Sequence, residues 1–241
     1  MSEWLKETGC KPVGSAYVGS NPTPAILFEL VIFDSDGVLV DSEAIANRVL
    51  AETLTTRGLP TTADQALRDY KGRILADVIA LANERNGAPL ADWVDEFESR
   101  RAEAFRAELK EIDGVRAVVE AVRDAGIDRC VCTQGKPEKT TLTLGITGLR
   151  SLFDEDAVFT SYEVERGKPF PDLFLHAAAS RGADPRRTAV IEDTTIGARA
   201  GIAAGMTVFG YAAETPSEEF SEIGARPFRA MAELPALLGV S

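Results

Sequence analysis

Leu30-Val31-Ile32-Phe33 is an unbroken, largely β-branched apolar run, and similar runs recur at Cys130-Val131-Cys132, Ala157-Val158-Phe159, Ala189-Val190-Ile191 and Thr207-Val208-Phe209. A strand with one wet face alternates apolar and polar residues, so runs without alternation predict strands buried on both faces. Helical stretches lie between them, at Val115 to Ala125, Pro171 to Arg181 and Ile196 to Ala204, and each closes near a glycine (Gly126, Gly182, Gly205), as helix C-termini often do. Strand and helix in this rhythm predict right-handed crossovers and an α/β fold: a parallel, Rossmann-like sheet flanked by helices.

One interval breaks the rhythm. Between Glu43 and Ile112 only helical segments are legible, punctuated by Gly58-Leu59-Pro60, Lys71-Gly72 and Asn86-Gly87-Ala88-Pro89. An insert after the first strand falls where an α/β sheet keeps its ligand crevice, so residues 44–111 are expected to form a small all-helical cap over a core made of 26–43 and 112–241. Residues 1–25 are dense in turn formers and show no sustained period, which reads as a mobile N-terminal tail.

Charge narrows the partners. Lys and Arg number 26 against 38 Asp and Glu, a net charge of −12 that would repel a nucleic acid backbone. An anionic small molecule stays admissible where a metal ion and a few cations reverse the sign within one pocket. Cys10, Cys130 and Cys132 are odd in number, and the last two sit one residue apart in an apolar run, so reduced thiols and a cytoplasmic setting are expected. There is no run of 18 apolar residues and no signal-peptide stretch in the first 25, which speaks against membrane or secretion. No obligate protein partner is evident.

Polar residues follow the strands: Asp34-Ser35-Asp36-Gly37 after the first, Thr133-Gln134-Gly135 after the second, Gly167-Lys168-Pro169 beyond the third and Glu192-Asp193 after the fourth. Carboxyl ends of parallel strands open onto one crevice, so these residues are expected to converge. Taken alone, Asp34-Ser35-Asp36-Gly37 is a turn, Thr133 a helix N-cap and Lys168 a solvated lysine. Together they make sense as a phosphate site. Clustered carboxylates need a cation between them or a retained proton, and oxygen-only donors select a hard ion, Mg²⁺ beside a phosphate rather than zinc. Thr133, Gln134 and Gly135 offer a hydroxyl and open backbone amides as a phosphate cradle, and Lys168 supplies counter-charge.

These segments, with Val38-Leu39-Val40-Asp41-Ser42-Glu43, Phe170-Pro171-Asp172 and Val190-Ile191 adjoining them, resemble the four motifs of the haloacid dehalogenase superfamily in residues, order and spacing over roughly Leu30 to Ala236. The resemblance implies a phosphatase or phosphoglucomutase-like member with a helical cap. In it Asp34 would be the nucleophile and a metal ligand. Asp36 would be the acid and base, with its backbone carbonyl on the metal. Gly37, Thr133 and its neighbouring amides and Lys168 would hold the phosphate, and Asp193 would bind Mg²⁺, with Glu192 reaching it directly or through water. Lys71 and Arg73, in Tyr70-Lys71-Gly72-Arg73, would read the distal part of the substrate, a small sugar phosphate or organic acid phosphate.

Other readings are weaker. The name-giving dehalogenases lack the second acid that Asp36 supplies, and the setting of Lys71 is unlike that of a phosphonatase lysine. Mutase-like members usually carry a histidine about where Ala46 stands, which favours hydrolysis over a phosphomutase. A non-enzymatic receiver-type phosphoacceptor needs neither the acid at Asp36 nor the insert. His176, on a helix behind the sheet, reads as structural, and Arg100-Arg101 as a solvated helix face.

Overall fold

The computed structural model describes residues 28–240, so the expectation for the N-terminal tail lies outside the described residues. Its centre is a six-stranded sheet in the order β3-β2-β1-β4-β5-β6, from β1 (Leu30–Phe33), β2 (Asp128–Thr133), β3 (Val158–Thr160), β4 (Thr188–Glu192), β5 (Thr207–Tyr211) and β6 (Arg226–Phe228). Every pairing is parallel, with Leu30 opposite Asp128 on one side and Thr188 on the other. All of β1 and β4 is buried, which is why their sequences do not alternate.

The flanking helices are α5 (Val115–Asp124), α6 (Pro137–Ile146), α7 (Asp172–Ser180), α8 (Thr195–Ala203), α9 (Ser217–Glu222) and α10 (Leu234–Leu238); before them come α1 (Glu43–Thr56), α2 (Ala63–Tyr70), α3 (Leu75–Asn86) and α4 (Val94–Glu108). The amphipathic α5 turns Val115, Val118, Val119 and Val122 onto the sheet, and each such side chain taken fully from water contributes about 1.5–3 kcal/mol.

Helices α1 to α4 carry a hydrophobic cluster of their own, built on Leu50, Leu54, Ala66, Tyr70, Trp93 and Phe97. The chain leaves and re-enters the sheet side by side: Asp41 N donates to Lys110 O at 2.9 Å and Ile112 N to Leu39 O at 3.0 Å. Two adjacent connections hold the helical insert beside the end of β1. Among the described residues, no helix is long and apolar enough to cross a membrane. Cys130 and Cys132 are buried free thiols in β2.

Candidate active site

The site begins where β1 runs out. Asp34 N still donates to Ile191 O at 3.0 Å, and the chain then folds on itself, with Leu39 N and Val40 N both donating to Ser35 O. Gly37 sits in this turn with φ +76, and a Cβ there would stand 2.3 Å from Asp193 Oδ2. Only glycine meets both demands. The turn therefore sets the β1 and β4 ends in contact.

Lys168 joins three strand ends. Its ammonium, 3% exposed, donates to Asp34 Oδ1 at 2.6 Å, Glu192 Oε1 at 2.6 Å and Cys132 O at 3.0 Å. Burial works against this ammonium, but the charges of Asp34 and Glu192 outweigh it and raise its pKa. Glu192 Oε2 accepts from Thr194 N and Oγ1, and Thr194 Oγ1 caps α8 by accepting from Gly197 N at 3.1 Å.

Carboxylate oxygens of Asp34, Glu192 and Asp193 lie within 4.8 Å of one another. Burial drives the Asp34 carboxyl well above its usual range, with Glu192, Asp193 and Asp36 adding to the rise and Lys168 opposing it. Burial likewise pushes Asp193 up to about 7. Three crowded, buried, oxygen-only donors suit a hard divalent cation, which would relieve the repulsion that now favours retained protons.

The Asp36 carboxylate is not in that trio. Ser42 Oγ donates to its Oδ1 and Lys139 Nζ to its Oδ2, the latter at 2.5 Å. Burial alone would raise this carboxyl, but the charge and hydrogen bond of Lys139, with that of Ser42, hold it below the usual range. Thr133 is not an N-cap either. Its Oγ1 accepts from Gly135 N at 3.0 Å within its own loop, and α6 starts only at Pro137. Gln134 crosses to the insert, donating from Nε2 to Gly72 O at 3.1 Å, while its buried Oε1 has no hydrogen-bond partner among the described residues.

These residues line a cavity of about 120 Å³ between the strand ends and the insert. Lys71 does not line it but borders the adjoining hollow with Gly37, Glu43 and Asp193, its ammonium on Asp193 Oδ2 at 3.0 Å and Glu214 Oε2 at 2.8 Å. Arg73 does line the cavity, at its exposed rim.

Arg101 corrects the expectation of a solvated face. Arg100 keeps to the outside and pairs with Glu52 at 2.7 Å, but Arg101 turns inward, with its guanidinium 4.8 Å from the Phe97 ring centre. The missed signal was the spacing: Phe97, Arg101 and Phe105 stand four apart on α4, one face of a helix. Sequence reasoning also passed over Glu43, Asn47 and Lys139, all of which line the cavity. Asn47 Nδ2 donates to Glu43 Oε2 at 3.0 Å, and burial, then Asp36, raises the Glu43 carboxyl. Ala46 lines the cavity with a methyl group, and His176 stands edge-on to Phe159 away from it.

The chain is similar to known proteins in sequence and in fold. The 6-phosphogluconate phosphatase of Escherichia coli K12 is 29% identical over 211 residues, 87% of this chain and 94% of that protein. Hexitol phosphatase A of the same organism is 28% identical over 80% of this chain and 87% of its own. A haloacid dehalogenase family hydrolase from Deinococcus radiodurans, solved with bound phosphate and sodium, superposes with a TM-score of 0.73 at 32% identity, covering 89% of this chain and 96% of that one. The family model for haloacid dehalogenase-like hydrolases matches residues 31–211. With its strand order, its strand-end acids and that match in agreement, the chain belongs to the haloacid dehalogenase-like hydrolases, and the two curated relatives just described are phosphatases.

Proposed function

We propose that this hydrolase is a cytoplasmic, Mg²⁺-dependent phosphatase that cleaves the monoester of a small sugar phosphate or organic acid phosphate through an aspartyl-phosphate on Asp34. The observation that carries the reading is the Lys168 ammonium on both Asp34 and Glu192, a contact that supports a nucleophile, its counter-charge and a metal ligand sharing one strand-end crevice. The relatives named for phosphorylated sugars and polyols support the substrate class.

Asp34 attacks phosphorus as its carboxylate, forming the Asp34 O–P bond while the bond to the substrate's alcohol oxygen breaks. The departing oxygen takes a proton from Asp36. Asp36 is ionised beside Lys139, so it must first gain that proton, and the incoming dianion favours this by raising the carboxyl's pKa. Once the alcohol has left, Asp36 is again a base, takes a proton from water, and the hydroxide oxygen displaces Asp34 from phosphorus. Thr133 and the Gln134 and Gly135 amides hold the transferring oxygens, and Lys168 offsets their charge. Asp34, Asp193 and Glu192, with the Asp36 backbone carbonyl, would hold the Mg²⁺, whose chemistry is to neutralise anionic charge shared by nucleophile and phosphate. The helical insert, residues 44–111, acts as the cap that excludes bulk water.

Screening phosphorylated metabolites for released phosphate, with Mg²⁺ or with chelator, tests the reading. Release is expected only with metal, and an Asp34→Asn variant is expected to lose at least about three orders of magnitude in kcat while keeping its fold. Release that survives exhaustive chelation overturns the metal dependence. More than a tenth of the parent rate in Asp34→Asn overturns the nucleophile.

A further inference from the structure

The cations around the cavity divide by what they already hold. Lys168 is taken by Asp34 and Glu192, Lys139 by Asp36, and Lys136 by Glu98 at 2.6 Å. Arg73 has no carboxylate partner among the described residues, but it is exposed and water can solvate it. Arg101 is different. Its side chain is only 15% exposed, pressed between the rings of Phe97 at 4.8 Å and Phe105 at 6.0 Å. It makes no hydrogen bond among the described residues, and the nearest carboxylate oxygen among them, Glu98 Oε1, is 3.9 Å away and pairs at 2.6 Å with the Lys136 ammonium without a hydrogen bond of its own.

A guanidinium carries five N–H donors and stays charged at any ordinary pH. Taking such a group from water without an acceptor is costly, and proteins rarely leave one so. Arg101 lines the cavity together with Glu43, Asn47 and Asp36, and it also borders an outer groove with Ala102, Phe105 and Tyr162. Two aromatic rings beside the guanidinium, at 4.8 and 6.0 Å, restrict its motion, which lowers the ordering cost of binding.

We propose that Arg101 is a specificity-determining residue: it bonds a second anionic group of the substrate, a carboxylate or second phosphate, at the end remote from the scissile ester. The inference rests on the phosphatase reading and narrows its substrate to sugar phosphates that carry such a group. A planar guanidinium meets either anion in bidentate fashion, whereas a neutral hydroxymethyl end would leave its donors unmatched.

Three substrates decide it: 6-phosphogluconate, glucitol 6-phosphate and fructose 1,6-bisphosphate. The first two differ at one terminal carbon, carboxylate against alcohol, and the third supplies the phosphate. The parent enzyme is expected to favour one anionic substrate over glucitol 6-phosphate by about tenfold or more in kcat/KM, and the one favoured identifies the group. Arg101→Gln is expected to shrink that ratio by about tenfold or more, and Arg101→Lys to retain part of it. Arg100→Gln, one residue away and paired outside with Glu52, is expected to leave the ratio unchanged.

A parent enzyme that treats the three alike overturns the inference. So does an Arg101→Gln variant that loses all three by the same factor. Calorimetric titration of Asp34→Asn with the same ligands separates this from the hydrolysis reading. If no substrate releases phosphate, hydrolysis falls, yet tighter binding of an anionic ligand that vanishes in the Asp34→Asn, Arg101→Gln double variant still upholds Arg101. Equal binding of all three ligands refutes it.

Discussion

Gly197 lies in the first turn of α8 directly above the Glu192 carboxylate, and replacing it by alanine tests how tightly the site is built. A Cβ there would stand 1.8 Å from Glu192 Oε1 and 2.0 Å from its Cδ. Ordinary contact needs about 3.5 Å, so the carboxylate must retreat by more than about 1 Å or the helix start must lift. Either motion draws Glu192 from Lys168, now at 2.6 Å, and disturbs the Thr194 cap on Gly197 N. Overpacking a core position costs about 1–3 kcal/mol, and misplacing a buried ion pair adds to it, for roughly 2–4 kcal/mol in all. At about 2–4 °C per kcal/mol for a chain of this size, the melting temperature is expected to fall by about 5–15 °C. The kcat/KM is expected to fall by about tenfold or more, because Lys168 then leans toward Asp34 alone. Gly145→Ala is the control. It sits in α6 with nothing within 4 Å of a new Cβ and is expected to gain about 0.4–1 kcal/mol. Thermal unfolding by circular dichroism and phosphate release on both variants give the answer. A Gly197→Ala protein that melts with the parent and keeps its rate refutes the tight seating of Glu192.

His176 packs edge-on to Phe159 at 5.5 Å, away from the cavity, so His176→Gln is expected to keep kcat/KM within about threefold; a larger loss would give it a role in the site. Buried in β2, Cys130 and Cys132 are expected to escape alkylation in the native protein, with burial raising the Cys132 thiol further from its reactive form; peptide mapping after iodoacetamide checks both. With Ala46 rather than a histidine lining the cavity, a sugar phosphate supplied with bisphosphate primer is expected to yield free phosphate rather than isomer. Isomer outpacing phosphate tenfold, about 1.4 kcal/mol between the two transition states, would make the enzyme a mutase.

The parts of the fold set by local periodicity were legible. β1 and β4 bury every residue, so their apolar runs announced themselves, and the three glycine-closed helices end within a residue or two of where the sequence stops them. The strand-end acids were legible too, because a parallel sheet brings the ends of β1 and β4 together whatever the loops do. What local sequence could not supply was the direction taken by side chains in the insert. Lys71, Gly72 and Arg73 are neighbours in sequence, yet Lys71 reaches Asp193, the Gly72 carbonyl receives Gln134, and Arg73 folds back on Asp69 O.

The charge of the pocket is likewise a property of the tertiary structure. The chain carries −12 overall, but Lys136, Lys139 and Lys168 come from the core, and Arg73 and Arg101 from the insert, to line one cavity. Three of these five are matched by a carboxylate within 2.6 Å, so they fix the architecture of the site more than its appetite for anions. Among the described residues, the cation of these five that is neither hydrogen-bonded to a carboxylate nor well exposed is Arg101, which is why it is the one proposed to select on a second charge of the substrate.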